Sequence, residues 1–156
     1  MNICINYHEK REWIELPADI EEIAEMFEVD LDEEPDFGDE ISIEDIETDL
    51  DFKYSRLGAY DLDDLNALAE CENDYHDEAV AISEAQSLNE VDYVTCRNAN
   101  LIKGVETSEE LGEALVDIGY LDPIPAHLKD YIDYRKFGDS FEYDGDFTST
   151  GFLFNL

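Results

Sequence analysis

Two short stretches near the start of the chain have the alternation of apolar and polar residues that is typical of β-strands. Residues 2–7 alternate around Ile3 and Ile5, and residues 12–16 follow after a charged stretch at 8–11. We expect the two stretches to pair as an antiparallel hairpin, with residues 8–11 as its turn.

The next pattern has the period of an α-helix. Between residues 18 and 29, apolar side chains recur at helical spacing, while the opposite face carries glutamates. Residues 30–40 contain a proline, a glycine and seven carboxylates, and are expected to form a loop. Alternation at residues 41–43 predicts a short third strand. Residues 1–54 are therefore expected to form a small acidic α+β lobe.

Helical periodicity dominates the centre of the chain. Asp61 is placed to cap a helix that carries a stripe of leucines, and a second helix is predicted from residue 75 to about 86. Residues 91–102 fit either a strand or a helix. We expect residues 55–105 to form an acidic central helical lobe.

A capping signal marks the next helix. Thr107 is followed three residues later by Glu110, the pattern of a capping box, and Gly119 stands where a glycine stop is expected. After two prolines, a further helix is predicted over residues 126–134, with Leu128, Tyr131 and Ile132 facing inward.

The end of the chain has a different pattern. From residue 141 to 156, aromatic residues alternate with polar ones, and Asp144-Gly145 predicts a turn. Residues 106–156 are expected to form a C-terminal, mostly helical lobe with a short β tail. The predicted fold class is therefore α+β, elongated, with three small lobes in sequence.

The charge of the chain changes this picture. The 156 residues contain 43 Asp and Glu but 9 Lys and Arg, for a net charge of -34, although 44% of residues are hydrophobic and 12% aromatic. So many aromatics argue against a disordered acidic tail. Self-repulsion at this charge destabilises a compact state, which indicates that the negative field serves to attract a cationic partner: a basic protein groove, a polycation or metal ions. On the linear charge density of B-DNA, 34 charges correspond to about 58 Å of duplex, roughly 17 base pairs.

The carboxylates are concentrated in the first two thirds of the chain. No Lys or Arg lies between Glu12 and Phe52, a span with nineteen carboxylates, and none lies between Leu57 and Cys96, which contains eleven more. Alternating surface charges would not produce such long spans without basic residues.

Motifs for catalysis or cofactor binding are not recognisable. An EF-hand starting at Asp30 would place Pro35 where glycine is required, and one starting at Asp144 fails at both key positions. The sequence has no Cys-x-x-Cys, no His pair at zinc spacing and no glycine-rich phosphate loop. We therefore predict that the protein is not an enzyme and has no catalytic residues, cofactor or metal. Direct binding to nucleic acid is excluded by the charge.

The sequence also bears on membrane association and on the cellular compartment. The chain has no apolar run near 18 residues, so no membrane span or membrane partner is expected. Three cysteines, Cys4, Cys71 and Cys96, follow no disulfide framework, which favours a reducing compartment. We expect the protein to act in the cytoplasm of a host bacterial cell.

The C-terminal third resembles a known family. Residues 124–139 (IPAHLKDYIDYRKFGD) are similar to the signature of the ArdA antirestriction proteins, in which a proline-led helix reaches a Tyr-x-Asp-Tyr element and then an aromatic-Gly-x-Asp step. Residues 145–150 and 109–118 fit the same pattern. Residues 12–17, ahead of an acidic helix, look like the family's second strand and the start of its first helix.

This resemblance implies a function. ArdA proteins are elongated homodimers whose carboxylates imitate the phosphates of bent DNA and which inhibit Type I restriction-modification enzymes. They are carried by phages, plasmids and transposons. Here the resemblance implies a DNA-mimic surface composed of Glu21, Glu22, Glu25, Glu28, Asp30, Asp32, Glu33, Glu34, Asp36, Asp39, Glu40, Glu44, Asp45, Glu47, Asp49, Asp51, Asp61, Asp63, Asp64, Glu70, Glu72, Asp74, Asp77 and Glu78.

The resemblance also implies a dimer contact in the C-terminal segment. The residues at this contact would be Leu121, Ile124, Leu128, Tyr131, Ile132, Tyr134 and Phe137. A position in the ordinary core of the monomer is an equally good interpretation of the same residues.

Three other functions remain open from the residues alone. A DNA mimic could inhibit another defence nuclease, such as a CRISPR effector. An acidic cation-binding or halophilic domain would also carry many carboxylates. An acidic chaperone-like module would bind basic proteins without preference.

Overall fold

The computed structural model describes residues 1–53 and 55–155. Its helices and its two three-stranded antiparallel sheets confirm the predicted α+β class. The strands are β1 Asn2–Tyr7, β2 Lys10–Glu15, β3 Ser42–Glu47, β4 Leu101–Lys103, β5 Gly145–Thr148 and β6 Gly151–Phe154. The α-helices are α1 Ile20–Phe27, α2 Phe37–Glu40, α3 Leu62–Asp74, α4 His76–Ala85, α5 Tyr93–Asn98, α6 Ser108–Asp117, α7 Ala126–Lys129 and α8 Tyr134–Asp139, with short 3₁₀ helices at Leu57–Ala59 and Leu88–Glu90.

The first sheet has the strand order β2-β1-β3. The predicted hairpin of β1 and β2 is confirmed, but its turn is His8-Glu9 rather than residues 8–11, because Tyr7 already pairs with Lys10. His8 and Glu9 both have positive φ, 47° and 68°. A two-residue turn of this kind matches the twist of a hairpin. It is usually signalled by Asn or Gly, and neither is present here.

Residues 30–36 lack regular secondary structure, as predicted, but the prediction of a loop is wrong for residues 37–40. Residues 37–40 form the short helix α2, because Phe37 is fully buried and its ring packs edge-on against Tyr7 at a centroid distance of 4.7 Å. The predicted third strand is confirmed and extends to Glu47 as β3. Its pairing with β1 contains a bulge beside Cys4 and Ile5.

The central helices begin where the sequence predicts. Asp61 caps α3 through a reciprocal capping box with Asp64. The ambiguous stretch 91–102 contains both alternatives, since it forms the helix α5 and then the strand β4. Asp92 accepts hydrogen bonds from the first amides of α5, at 2.8 and 2.9 Å, and so fixes where the helix begins.

A large core lies between the first sheet and the helices α1, α3 and α4. Its fully buried residues include Ile3, Ile5, Ile23, Leu65 and Ile82. This hydrophobic cluster draws residues from both the first and the central segments of the chain. The boundaries of three separate lobes stay a prediction.

Helix α6 begins and ends as predicted. Thr107 and Glu110 form the capping box. At the other end Gly119, with φ of 79°, donates its amide to Val116, and the Tyr120 amide donates to Leu115 at 2.9 Å. These two bonds form a Schellman motif, which explains the glycine.

The single helix predicted over 126–134 is wrong. The chain forms two short helices, α7 and α8, because Asp133 has a non-helical backbone and its side chain caps α8 by accepting the Lys136 amide at 3.1 Å. The inward positions predicted for Leu128 and Tyr131 are wrong as well, since these side chains are 45% and 85% exposed.

The second sheet has the order β4-β6-β5 and forms the β tail. The turn between β5 and β6 lies at Ser149-Thr150, whereas Gly145, predicted to lie in a turn, is the first residue of β5. A Cβ at Gly145 would collide with the backbone of Leu153, which explains the glycine in this strand. Phe152 from this sheet is fully buried with Leu111 and Leu115 of α6 in a second hydrophobic cluster.

Candidate acidic binding surface

The predicted DNA-mimic carboxylates lie almost entirely at the surface. All of them are exposed except Asp51, Asp77 and Glu78, which are half-buried, and Glu72, which is buried. We call this set without Glu72 the acidic surface.

Helix α1 shows how the sequence produces this surface. Ile23, Ala24 and Phe27 are buried. The helical period therefore turns Glu21, Glu22 and Glu25 to solvent. The helix begins with a capping box between Asp19 and Glu22. Acidic residues in the first turn of a helix are also favoured by its dipole.

The segment 30–36 presents its carboxylates from a local turn. The Asp30 carbonyl accepts hydrogen bonds from the amides of Glu33 and Glu34, at 3.0 and 2.8 Å, and the Asp30 side chain accepts the Asp32 amide at 3.0 Å. Tyr7 of β1 donates its hydroxyl to Glu34. This hydrogen bond raises the pKa of Tyr7 to about 12 and ties the segment to the sheet.

Ion pairs neutralise few members of the acidic surface. Arg11 pairs with Glu44 at 2.7 Å, and Lys103 pairs with Asp77 at 3.0 Å and Glu78 at 2.8 Å. The hydrogen bond to Glu78 raises the pKa of Lys103, and the hydrogen bond from Lys103 lowers the pKa of Asp77. These two shifts keep Lys103 and Asp77 charged near neutral pH. Because the chain has 43 Asp and Glu against 9 Lys and Arg, most of the negative field remains uncompensated.

Glu72 requires a correction, because it is 6% exposed and is not part of any surface. Its Oε1 atom accepts the Thr48 hydroxyl at 2.7 Å and the Asp49 amide at 2.9 Å, and its Oε2 atom lies 3.2 Å from the Met1 nitrogen. Glu72 therefore joins α3 to the segment after β3 and to the start of β1. The helical period of α3 places residue 72 on the same face as the buried Leu65 and Leu68, but the partners of the carboxylate could not be predicted because they lie far away in sequence.

Within residues 1–53 and 55–155, one group of side chains could hold a cation by distance alone. Ligand atoms of Asp49, Glu72 and His76 all lie within 4.8 Å of one another. Each already has protein partners, since His76 lies 2.9 Å from Asp49 and 3.3 Å from Asp77. The hydrogen bond with Asp49 raises the pKa of His76, which favours the imidazolium form over a metal-ligating neutral ring.

A comparison with models of known protein families identifies the family of the chain that carries this surface. A family model described as Antirestriction protein (ArdA) matches residues 8–154, nearly the whole chain. The chain belongs to the ArdA antirestriction family. The match includes every carboxylate of the acidic surface, and the resemblance in the C-terminal third is confirmed. No curated protein matches the chain.

Membership of the ArdA family implies antirestriction, the inhibition of restriction-modification enzymes. Cys71 and Cys96 are buried, and burial raises the pKa of Cys71 and raises that of Cys96 to about 12. Both thiols therefore remain protonated near neutral pH and are poor nucleophiles.

The seven residues that the resemblance to ArdA proteins assigns to a dimer contact differ in their exposure to solvent. Leu121, Leu128 and Tyr131 are exposed, whereas the others are half-buried: Ile124, Ile132, Tyr134 and Phe137. Phe137 packs edge-on against Phe141 at 5.4 Å and so belongs partly to the monomer core. We call these seven residues the C-terminal apolar patch.

The sequence pattern did not predict two exposed apolar side chains. Trp13 of β2 and Met26 of α1 are both exposed and line the same groove. No helix in the described ranges 1–53 and 55–155 has the length and apolar character needed to cross a bilayer.

Proposed function

We propose that this ArdA-family protein inhibits a Type I restriction-modification enzyme by occupying its DNA-binding groove in place of DNA. The observation that carries the proposal is the acidic surface: long spans of exposed carboxylates without intervening Lys or Arg. A groove that binds DNA is lined by basic residues that recognise phosphate charge. Carboxylates on a folded scaffold present similar charge without the energy needed to bend DNA.

The mechanism is competitive. Long-range attraction between the acidic surface and the basic groove steers association, and many weak contacts share the binding free energy. Binding should therefore weaken as salt rises. We also propose that this competition takes place in the cytoplasm of a bacterial host, where restriction enzymes meet incoming DNA.

A homodimer is the second part of the proposal. The exposed Leu121, Leu128 and Tyr131 lie on or next to α7, away from the carboxylates of α1 and α3 in sequence. Pairing of two C-terminal apolar patches would remove these side chains from water and would join two acidic surfaces into a longer one.

Cleavage of DNA by a purified Type I restriction enzyme tests the proposal. The protein is titrated at two salt concentrations, and a second titration contains excess unmodified DNA without recognition sites. We expect inhibition near one protein dimer per enzyme, weaker at high salt and relieved by DNA. Polyglutamate of equal total charge and a Type II restriction enzyme serve as controls for unspecific effects of a polyanion.

Absence of inhibition by the folded protein would contradict the proposal for this enzyme class. Equal inhibition by polyglutamate would contradict a structured mimic. Inhibition of a CRISPR effector, but not of the Type I enzyme, would instead support the same mimicry with another defence nuclease as partner.

A further inference from the structure

A groove with an apolar floor lies between α1 and the free edge of the first sheet. Strand β2 is the edge strand in the order β2-β1-β3, so one side of it has no neighbouring strand in the part of the chain that the structure describes. The groove has a volume of about 530 Å³ and is lined by Trp13 and Pro17 on one side and by Met26 on the other.

Trp13 is unusually exposed to solvent for such a large apolar side chain. Ile14, the next residue, is in the core at 4% exposure, and the alternation of a strand turns Trp13 outward, where it is 46% exposed. Met26 is 43% exposed on α1. Exposed Trp and Met side chains are typical of protein-binding sites, because both gain free energy on leaving water.

Carboxylates line the same groove. Glu15 of β2 and Glu22 and Glu25 of α1 are exposed beside the indole. Lys and Arg are absent from the sequence between residues 12 and 52. The groove therefore combines an aromatic face with negative charge, which is complementary to a guanidinium group: Arg stacks on aromatic rings and pairs with carboxylates.

A neighbouring lysine makes contacts of the same kind, with an oxygen acceptor and an aromatic ring. Lys10, at the start of β2, donates its ammonium group to the Met26 carbonyl at 3.1 Å and lies 5.4 Å from the centre of the Phe27 ring. A cation is therefore bound against an aromatic ring next to Met26, although Lys10 and Phe27 do not line the groove themselves.

We propose that the Trp13 groove receives an arginine side chain from the DNA-binding groove of the inhibited restriction enzyme. This inference rests on the proposed function and adds a contact that DNA itself does not offer, because the phosphate backbone has no exposed aromatic ring. The acidic surface then provides long-range attraction that salt screens, while Trp13 provides a short-range contact that salt screens much less.

The test compares inhibition of Type I cleavage by variants at two salt concentrations. Trp13→Ala should raise the half-inhibitory concentration roughly ten-fold at both salt concentrations, so the salt dependence keeps its slope. Trp13→Phe, which keeps a ring, should lose less. Tyr143→Ala is the control for loss of an exposed aromatic, since Tyr143 is 88% exposed elsewhere.

A second pair of variants covers the case in which Trp13→Ala impairs folding. Met26→Lys places a cation in the groove and should repel arginine, again raising the half-inhibitory concentration roughly ten-fold. Val94→Lys, at a residue that is 66% exposed, changes the net charge equally outside the groove and should change inhibition less than about two-fold. Thermal unfolding of every variant is measured alongside.

The outcomes separate the two proposals. If the natural protein inhibits but Trp13→Ala and Met26→Lys inhibit equally well, the groove proposal is wrong and the mimicry proposal stands. If the natural protein does not inhibit, both are wrong. If Met26→Lys and Val94→Lys lose inhibition to the same extent, net charge explains the loss and the groove is not a specific contact.

Discussion

Among single residues, Glu72 differs most from its neighbours in sequence, since it is a buried carboxylate in a chain with an excess of exposed ones. Its Oε1 atom accepts hydrogen bonds from Thr48 and from the Asp49 amide. Glu72→Ala would leave these donors without a partner, and we expect it to lower the free energy of unfolding by about 2–3 kcal/mol. Urea denaturation measures the change.

The matched control for Glu72 is Glu70→Ala on the same helix, because Glu70 is exposed and should contribute little. Glu72→Gln keeps an acceptor for Thr48 and Asp49 and should lose less than Glu72→Ala. Equal losses at positions 70 and 72 would contradict a structural role for the buried carboxylate.

His76 gives a prediction about pH. The hydrogen bond with Asp49 raises the pKa of His76 above its ordinary value of 6.5. A raised pKa in the folded state means that this contact stabilises the fold fully below about pH 6.5, and that the contribution is lost as pH rises through the folded pKa. The effect on stability should be small, because the side chain is half exposed.

NMR titration of the imidazole protons measures this shift directly. We expect the His76 midpoint to lie above 6.5 in the natural protein and to fall in Asp49→Asn. Asp45→Asn removes the same charge from an exposed position of β3 and should move the midpoint much less. Equal shifts in both variants would indicate a general field rather than the hydrogen bond.

At the scale of elements, α6 and α8 pack backbone to backbone through two glycines. A Cβ at Gly138 would collide with the Ser108 carbonyl, and one at Gly112 with the Tyr134 carbonyl. Gly138→Ala should therefore destabilise the protein by about 1–3 kcal/mol, because the helices have to move apart. Thermal unfolding tests this, with Gly58→Ala as control, since a Cβ there meets nothing within 4 Å.

The C-terminal apolar patch gives a second prediction for elements. Tyr131→Asp places a charge at the centre of the proposed dimer contact, where Tyr131 is 85% exposed in the monomer. We expect a shift from dimer to monomer in analytical ultracentrifugation, with little change in monomer stability. Tyr143→Asp is the control at another exposed tyrosine. A monomeric natural protein, or an unchanged dimer in Tyr131→Asp, would contradict this assignment.

For the whole molecule, the distribution of charge should matter more than any one carboxylate. A single change such as Glu21→Gln should leave inhibition nearly unchanged, because many weak contacts share the binding free energy. Amide substitution of six neighbouring carboxylates should abolish inhibition: Glu21, Glu22, Glu25, Glu28, Asp30 and Asp32. The half-inhibitory concentration in DNA cleavage measures both effects.

A matched set of six exposed carboxylates in the last third tests the role of position. Amide substitution of Glu109, Glu113, Asp122, Glu142, Asp144 and Asp146 changes the net charge equally. This set should retain most of the inhibition. Equal loss from both sets would show that net charge alone decides, and loss of activity from Glu21→Gln in a folded protein would contradict a distributed surface.

Local patterns in the sequence determined most elements of this fold and the exposure of most acidic side chains. The capping boxes at Asp61 and Thr107, the glycine at 119 and the helical period of α1 depend on residues within a few positions of one another. Such contacts can be predicted because the chain itself fixes their distances. The spans without Lys or Arg likewise fixed the sign of the surface, since charged side chains seldom become buried without a partner.

Contacts between distant segments decided the rest. Glu72 is buried because Thr48 and Asp49 meet it from another element, and Phe37 turned part of an expected loop into a helix by entering the core beside Tyr7. Residues far apart in sequence set the partner of each group, and the free energy of those contacts exceeds the weak local preferences that a single sequence reveals.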